Sequence, residues 1–342
     1  MREVYFVLVK PSPQNHAACD DSPGPNLIAP MRLEEDMLMV EAVLDAIATT
    51  FKLAQGEAGV LRQCDPTSED SNNPTRGIDR VAQQTLKLHL EVAFERKILF
   101  IAEEPEPEGA KVPRNLRDSE VDVAFLDPID GTDLWVRGFG NWCISTAIFD
   151  PRKGRIRAAF VGYSSGDIYW ATPQSVCRRG LDGHDYPLLV SRTDGLALRD
   201  ATICFYGQKP INFLAIQQNL ELREFLLRMK EEKEQTGETG KDAPKFRIYN
   251  LAGNPMMVRM TESEDVHAAV DVVFELRGQK AYDVVPGAFI AQRAGASLVN
   301  LLNQPINLDE ALRNHKNLVT YVLAATPQLA DEAVGSLVPK RR

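Results

Sequence analysis

A chain of 342 residues exceeds what one ordinary hydrophobic core organises, so two domains are expected. A hydrophobic content of 44% with 25% charged residues is that of a soluble globular protein, and a net charge of −9 argues against a nucleic-acid polymer as partner while leaving small anionic substrates open. The five cysteines (Cys19, Cys64, Cys143, Cys177 and Cys204) are scattered and form no Cys-x-x-Cys pair, which points away from a zinc site or disulfide framework and towards free thiols in a reducing compartment.

Residues 1–10 read as a strand. Its apolar run, "VYFVLV", is cut off by "KPSPQN", too short for a membrane span and without a small-residue cleavage site, so a cytoplasmic location and no membrane partner are expected. Loops rich in Pro, Asp and Asn follow at 11–30 and again at 62–76. Between them Leu33, Met37, Val40, Leu44, Ile47 and Phe51 recur at alternating spacings of four and three, the mark of a helix with one buried face. Asp79 stands where an N-cap would, ahead of a second helix carrying Val81, Leu86, Leu90 and Phe94.

Strand patterns come next. "KILFIAEE" and "VDVAFLDPID" are apolar runs that end in carboxylates, while "WCISTAIFD", "RIRAAFVGY" and "DIYWAT" are separated by short turns and predict an antiparallel meander. Helices before strands predict an α+β first half, with a boundary near residue 195 at "SRTDGLALRD". The second half, 196–342, alternates: strand "ATICFY", a helix from about Ile211 to Lys230 with a solvated charged tail, strand "AAVDVVFE", a helix from about Asp283, then strands "ASLVNL" and "LVTYVLAA". This half is predicted to be α/β.

Five carboxylates fall at these strand and helix ends: Glu103, Glu104, Asp127, Asp130 and Asp283. Brought to one sheet edge they repel each other unless protons or cations neutralise them, and Mg²⁺, which takes oxygen ligands and shares substrate phosphate, is the natural neutraliser. In "LDPIDGTDLW" Pro128 stiffens a turn, Ile129 offers its carbonyl between Asp127 and Asp130, and Gly131 and Thr132 offer backbone N–H groups to a phosphate oxygen if a helix begins there. Asp283 opens a helix whose dipole favours a carboxylate, with Pro286 expected in the first turn.

"AEEPEPEG", "LDPIDGTDLW" and "AYDVVPGAFIAQRAGA", in that order, resemble three motifs of the inositol monophosphatase family, a group of Mg²⁺-dependent and often lithium-sensitive phosphatases. The resemblance runs from about residue 75 to 325. It implies a layered αβαβα sandwich of the sugar-phosphatase type, with the site between two domains. It also implies a phosphomonoesterase for a sugar, polyol or inositol phosphate, with two or three Mg²⁺ per site, Mn²⁺ as a substitute, and a homodimer. Carried over residue by residue, Glu103, Asp127 and the Ile129 carbonyl hold one ion, and Asp127, Asp130 and Asp283 a second. A third lies near Glu103 and Glu104. Thr132, hydrogen-bonded to Glu103 or to Asp79, orients the attacking water, and Asp130 helps protonate the departing alkoxide.

The departures concern the substrate. In "FELRGQKAYD" the acidic residue expected to meet inositol is replaced near Leu276 and Arg277, and Glu275 fits only with a one-residue slip. Arg277 resembles instead the branch that accepts sugar bisphosphates, where a cation holds a second phosphate, so fructose-1,6-bisphosphatase or phosphoadenosine-phosphate phosphatase activity is the alternative. Gly253 in "NLAGNP" resembles a substrate-facing helix start. A haloacid-dehalogenase mechanism needs its two aspartates separated by one residue, whereas Pro128 and Ile129 both intervene here. A catalytically silent family member is the non-enzyme alternative.

Overall fold

In the computed structural model, residues 30–56, 77–94, 98–103, 116, 119–190, 195–207, 210–236 and 243–338 are described. The expected strand at 1–10 and the loops at 11–30 and 62–76 lie outside these residues, except that position 30 begins the first helix; Glu104 is outside them too. Helix α1 spans Pro30–Gly56 and α2 spans Gly77–Ala93. On α1 the predicted stripe buries Val40, Leu44, Ile47 and Phe51, while Met37 is exposed and the side chain of Leu33 is outside the described set. On α2 the four-residue spacing of Ile78, Ala82, Leu86 and Leu90 makes the buried face. Asp79 is in the first turn of α2, two residues inside the helix, rather than capping it from outside.

The first sheet has the spatial order β1 to β7, identical to its chain order. Strand β1 (Leu99–Ala102) runs parallel to β2 (Val123–Asp130), after which a short helix α3 (Thr132–Val136) intervenes. The predicted meander follows as β3 (Cys143–Asp150), β4 (Arg155–Tyr163) and β5 (Ile168–Ala171), extended by β6 (Val176–Arg179) and β7 (Asp185–Pro187), all antiparallel. Both faces of β2 are covered, so it reads as a continuous apolar run rather than an alternating one. Ala124 and Leu126 pack with α1 and α2, whereas Val123 and Phe125 pack on the opposite side. By that alternation Asp127 belongs to the face away from α1 and α2.

Strand β8 (Leu189–Val190) precedes β9 (Thr202–Phe205). The helix expected from Ile211 to Lys230 is two helices, α4 (Pro210–Gln217) and α5 (Leu220–Thr236). The break is at Asn219, whose Oδ1 accepts the Leu222 N–H at 3.1 Å and so caps α5. Strand β10 (Arg247–Tyr249), helix α6 (Asn254–Val258) and strand β11 (Thr261–Glu262) lead to β12 (Val272–Gln279) and α7 (Ala281–Ala294). The chain ends with β13 (Ser297–Val299), α8 (Leu308–Arg313), β14 (Val319–Ala324) and α9 (Pro327–Leu337).

These strands form a second sheet, β10-β9-β12-β14-β13, parallel across its first three strands and antiparallel beyond, while β8 pairs with β11. Helix α7 lies between the sheets: its Val284, Ala288 and Ala291 share one buried cluster with Phe125 of β2 and Val322 of β14. Helices α5 and α9 add Leu222, Phe225, Leu329 and Ala333 to that cluster. The result is the expected αβαβα sandwich, and the ends of β2, α6 and α7 meet in its middle.

Candidate active site

The "DPID" segment is a bulged strand end rather than a turn. Asp127 pairs with Ser145 and Asp130 with Cys143, so three steps along β2 oppose two along β3. Pro128, without an N–H to give the ladder, sits inside this irregularity. The bulge turns Asp130 out of the regular alternation, and Gly131 then adopts φ +93° to start α3. A side chain there would be strained, and its Cβ would also stand 3.0 Å from the Asn141 carbonyl.

Thr132 opens α3 with its Oγ1 2.8 Å from Asp79 Oδ1 and 2.8 Å from the Ile129 carbonyl oxygen. Of the two partners expected for Thr132, Asp79 is the one in hydrogen-bonding distance. Asp79 is 3% exposed, held by the first turn of α2. A hydroxyl has a single proton, so donation to Asp79 leaves the Thr132 lone pairs available to accept from a further donor.

Asp127 is 2% exposed and its Oδ1 has no hydrogen-bond partner. Burial pushes its carboxyl well above the usual range, and the charges of Glu103, Asp130, Asp283 and Asp79 push in the same direction. Glu103 is placed by β1, its N–H donating to the Leu126 carbonyl at 3.1 Å. Burial likewise raises Asp130, to about 7, against the opposing hydrogen bonds of Asn254. Asp283 is the third residue of α7, and its Oδ2 accepts the Lys280 N–H at 3.2 Å. Among the described residues no group of three His, Cys, Asp or Glu is drawn close enough to hold a cation as it stands. The orphaned, buried oxygen of Asp127, on a carboxyl raised further by the charges of four other carboxylates, nevertheless fits a divalent cation, because a buried anion without donors needs a positive neighbour.

Gly253 and Asn254 belong to the same group. Gly253 has φ +84°, and a Cβ there would lie 2.8 Å from Asp130 Oδ2. The missing side chain lets the Asn254 N–H reach that oxygen at 2.9 Å. Gly253 therefore packs against a site carboxylate, and α6 starts there as expected. Arg277 is exposed on β12. Its N–H donates to Glu275 Oε1 at 2.7 Å, and its guanidinium reaches the Ile211 carbonyl at 3.5 Å. Glu275 is 3% exposed, and its Oε2 has no hydrogen-bond partner.

Three residues of this region were absent from the sequence reading. Tyr206, just past β9, has its hydroxyl pushed up by burial and then by Asp130, Asp283, Glu103 and Glu275. Asn254 and Ser145 are fully buried polar side chains joined at 3.1 Å. For Asn254 a signal existed: Pro286 is the sixth residue of α7, beyond the first turn in which it was expected. A proline at that depth cannot donate to the carbonyl four residues before it.

The stacked α, β, α, β, α layers with acidic strand ends meeting at the middle are those of the sugar phosphatases. The chain belongs to the inositol monophosphatase family, whose model matches residues 36–340, and is a phosphomonoesterase. Its fold is also that of the Thermotoga maritima IMPase (TM-score 0.58, 17% identity, covering 87% of this chain and 96% of that one). The suhB protein of Bartonella henselae gives a TM-score of 0.61 at 16% identity, covering 87% and 97% of the two chains. An IMPase/NADP phosphatase complexed with Mg²⁺ and phosphate gives 0.55 at 17% identity, covering 85% and 92%. No curated protein sequence matches the chain.

Proposed function

We propose that this enzyme is a Mg²⁺-dependent phosphatase of a sugar, polyol or inositol phosphate, with Mn²⁺ as a substitute ion. The observation that carries it is Asp127: a buried carboxylate with an orphaned oxygen, surrounded by like charges and adjoining the Thr132–Asp79 pair. The ligands would be Glu103, Glu104, Asp127, the Ile129 carbonyl, Asp130 and Asp283. Bound there, two or three ions would neutralise these carboxylates and the phosphate, and acidify the water that attacks it. The structural relative complexed with Mg²⁺ and phosphate supports this choice of ion.

The chain's own residues supply the orientation. Thr132, donating to Asp79, keeps its lone pairs for a proton of the attacking water, and the buried Asp79 carboxylate draws that proton onward. Gly131 and Thr132, at the start of α3, would offer their backbone N–H groups to a phosphate oxygen. Asp130, held by the Asn254 N–H, lies on the side where Gly253 leaves room and assists protonation of the departing alkoxide. Arg277, exposed at the end of β12, would hold a second anionic group, favouring a bisphosphate over a monophosphate.

Purified enzyme is assayed for phosphate release from inositol phosphates, fructose bisphosphate and phosphoadenosine phosphate, with Mg²⁺, with EDTA and with added Li⁺. Release that requires Mg²⁺ is expected. An Arg277→Ala variant should raise KM for the preferred bisphosphate and leave monophosphate KM unchanged. No release from any member of the panel would instead identify a silent, ligand-binding member of the family. Gel filtration tests the homodimer.

A further inference from the structure

Asn254 is fully buried, and its polar atoms reach three different elements. Its backbone N–H donates to Asp130 Oδ2 at 2.9 Å, at the end of β2. Its Nδ2 donates to Ser145 Oγ of β3 at 3.1 Å and to the Tyr282 carbonyl of α7, also at 3.1 Å. Its Oδ1 accepts the Gly287 N–H of α7 at 2.7 Å. Tyr282 and Gly287 flank Pro286 in α7. A regular helix would satisfy the Tyr282 carbonyl with the N–H of residue 286, but that residue is proline, with no N–H and a ring that pushes this carbonyl aside. The side-chain amide of Asn254 supplies the missing donor and takes up the next N–H as well.

We infer that Asn254 is a positioning residue that splices the proline gap of α7 and thereby holds Asp283, one residue beyond Tyr282, in fixed relation to Asp130. An amide suits the place because it offers a donor and an acceptor side by side without charge. Aspartate would add another negative charge to a site already crowded with them, and serine is too short to reach both groups of α7. The inference rests on the proposal that Asp130 and Asp283 face a common cation. What it adds is that their spacing is set from α6, through a bond pattern that exists because residue 286 is proline.

The test is a double-mutant cycle of N254A and P286A on the full chain, because alanine at 286 restores the helical N–H that Asn254 replaces. Mg²⁺ affinity is read from the Mg²⁺-dependent rise in melting temperature, and metal-free stability from urea unfolding in EDTA. N254A should weaken Mg²⁺ binding roughly 10- to 100-fold and lower kcat with little change in KM. P286A should bind Mg²⁺ as wild type does, and N254A/P286A should recover most of the affinity that N254A loses. In EDTA the N254A lesion should be smaller in the P286A background. An N254A protein that is less stable but binds Mg²⁺ and turns over normally would overturn the inference, as would a double variant no better than N254A. If N254A alone does not fold, a folded double variant with near-wild-type affinity supports the inference, and an unfolded one refutes it. Wild-type enzyme with no Mg²⁺ response would instead sink the metal assignment and this inference together.

Discussion

Asp127→Asn separates what the site does for catalysis from what it costs the fold. Asp127 is 2% exposed, its Oδ1 has no donor, and its charge meets those of Glu103, Asp130, Asp283 and Asp79. In metal-free protein this is a stability liability, since a buried polar atom without a partner costs about 1–3 kcal/mol and more when charged. Asparagine keeps the shape, removes the charge and brings two N–H donors into a ring of acceptors. In EDTA the variant should therefore be more stable than wild type by about 1–3 kcal/mol. With a conversion of about 2–4 °C per kcal/mol for a 150–250-residue domain, and rather less for a longer chain, a rise of a few degrees is expected. Mg²⁺ should stabilise wild type and leave the variant nearly unmoved. Phosphate release should fall by at least about 10³, or roughly 4 kcal/mol of transition-state stabilisation. Differential scanning fluorimetry with EDTA and with Mg²⁺, beside a phosphate-release assay, reads all three quantities. A variant that turns over at the wild-type rate refutes the assignment of Asp127, and one that melts lower in EDTA refutes the electrostatic reasoning.

Thr132→Ala and Asp79→Asn should each lower kcat about 10²- to 10³-fold at nearly constant KM, and the double variant should lose little more, because the two act as one hydrogen-bonded unit. Additive losses in steady-state kinetics would mean that they act separately. Gly253→Ala must place a side chain at φ +84° with its Cβ 2.8 Å from Asp130 Oδ2, so it should destabilise by about 1–3 kcal/mol in urea unfolding. A neutral effect would contradict the close approach. Glu275, 3% exposed, has its carboxyl raised above the ordinary 4.5 chiefly by burial. Its stabilising contribution is therefore complete below that value and is lost as pH rises through the folded one. Glu275→Gln keeps the oxygen that accepts the Arg277 and Gly278 N–H groups, so it should gain stability relative to wild type on going from pH 4 to 7. An unchanged difference across that range would show that Glu275 is not desolvated.

Local rules determined a good deal of this protein. The four-and-three stripe of α1, the apolar strands ending in carboxylates, the antiparallel meander and the "DPIDGT" string are all legible because each depends on residues close in sequence. Asp127, Asp130, Gly131 and Thr132 were found together for the same reason. Glu103 and Asp283 stand out as carboxylates at the ends of a strand and a helix, and the resemblance to the phosphatase motifs then gave them roles and added Asp79, which periodicity alone would have left as a cap.

What only the tertiary structure decided is how distant segments meet. The partner of Thr132 is 53 positions away, and the bond from Asn254 to Asp130 spans 124. No local pattern states such pairings, since they follow from how β2, α2, α6 and α7 stack. The bulge at Pro128 was likewise invisible, because it exists only as a mismatch of register with β3. Pro286 shows the division most clearly. A proline in a helix is written in the sequence as a missing donor, but that a buried asparagine 32 residues earlier supplies it was settled when α6 docked against α7.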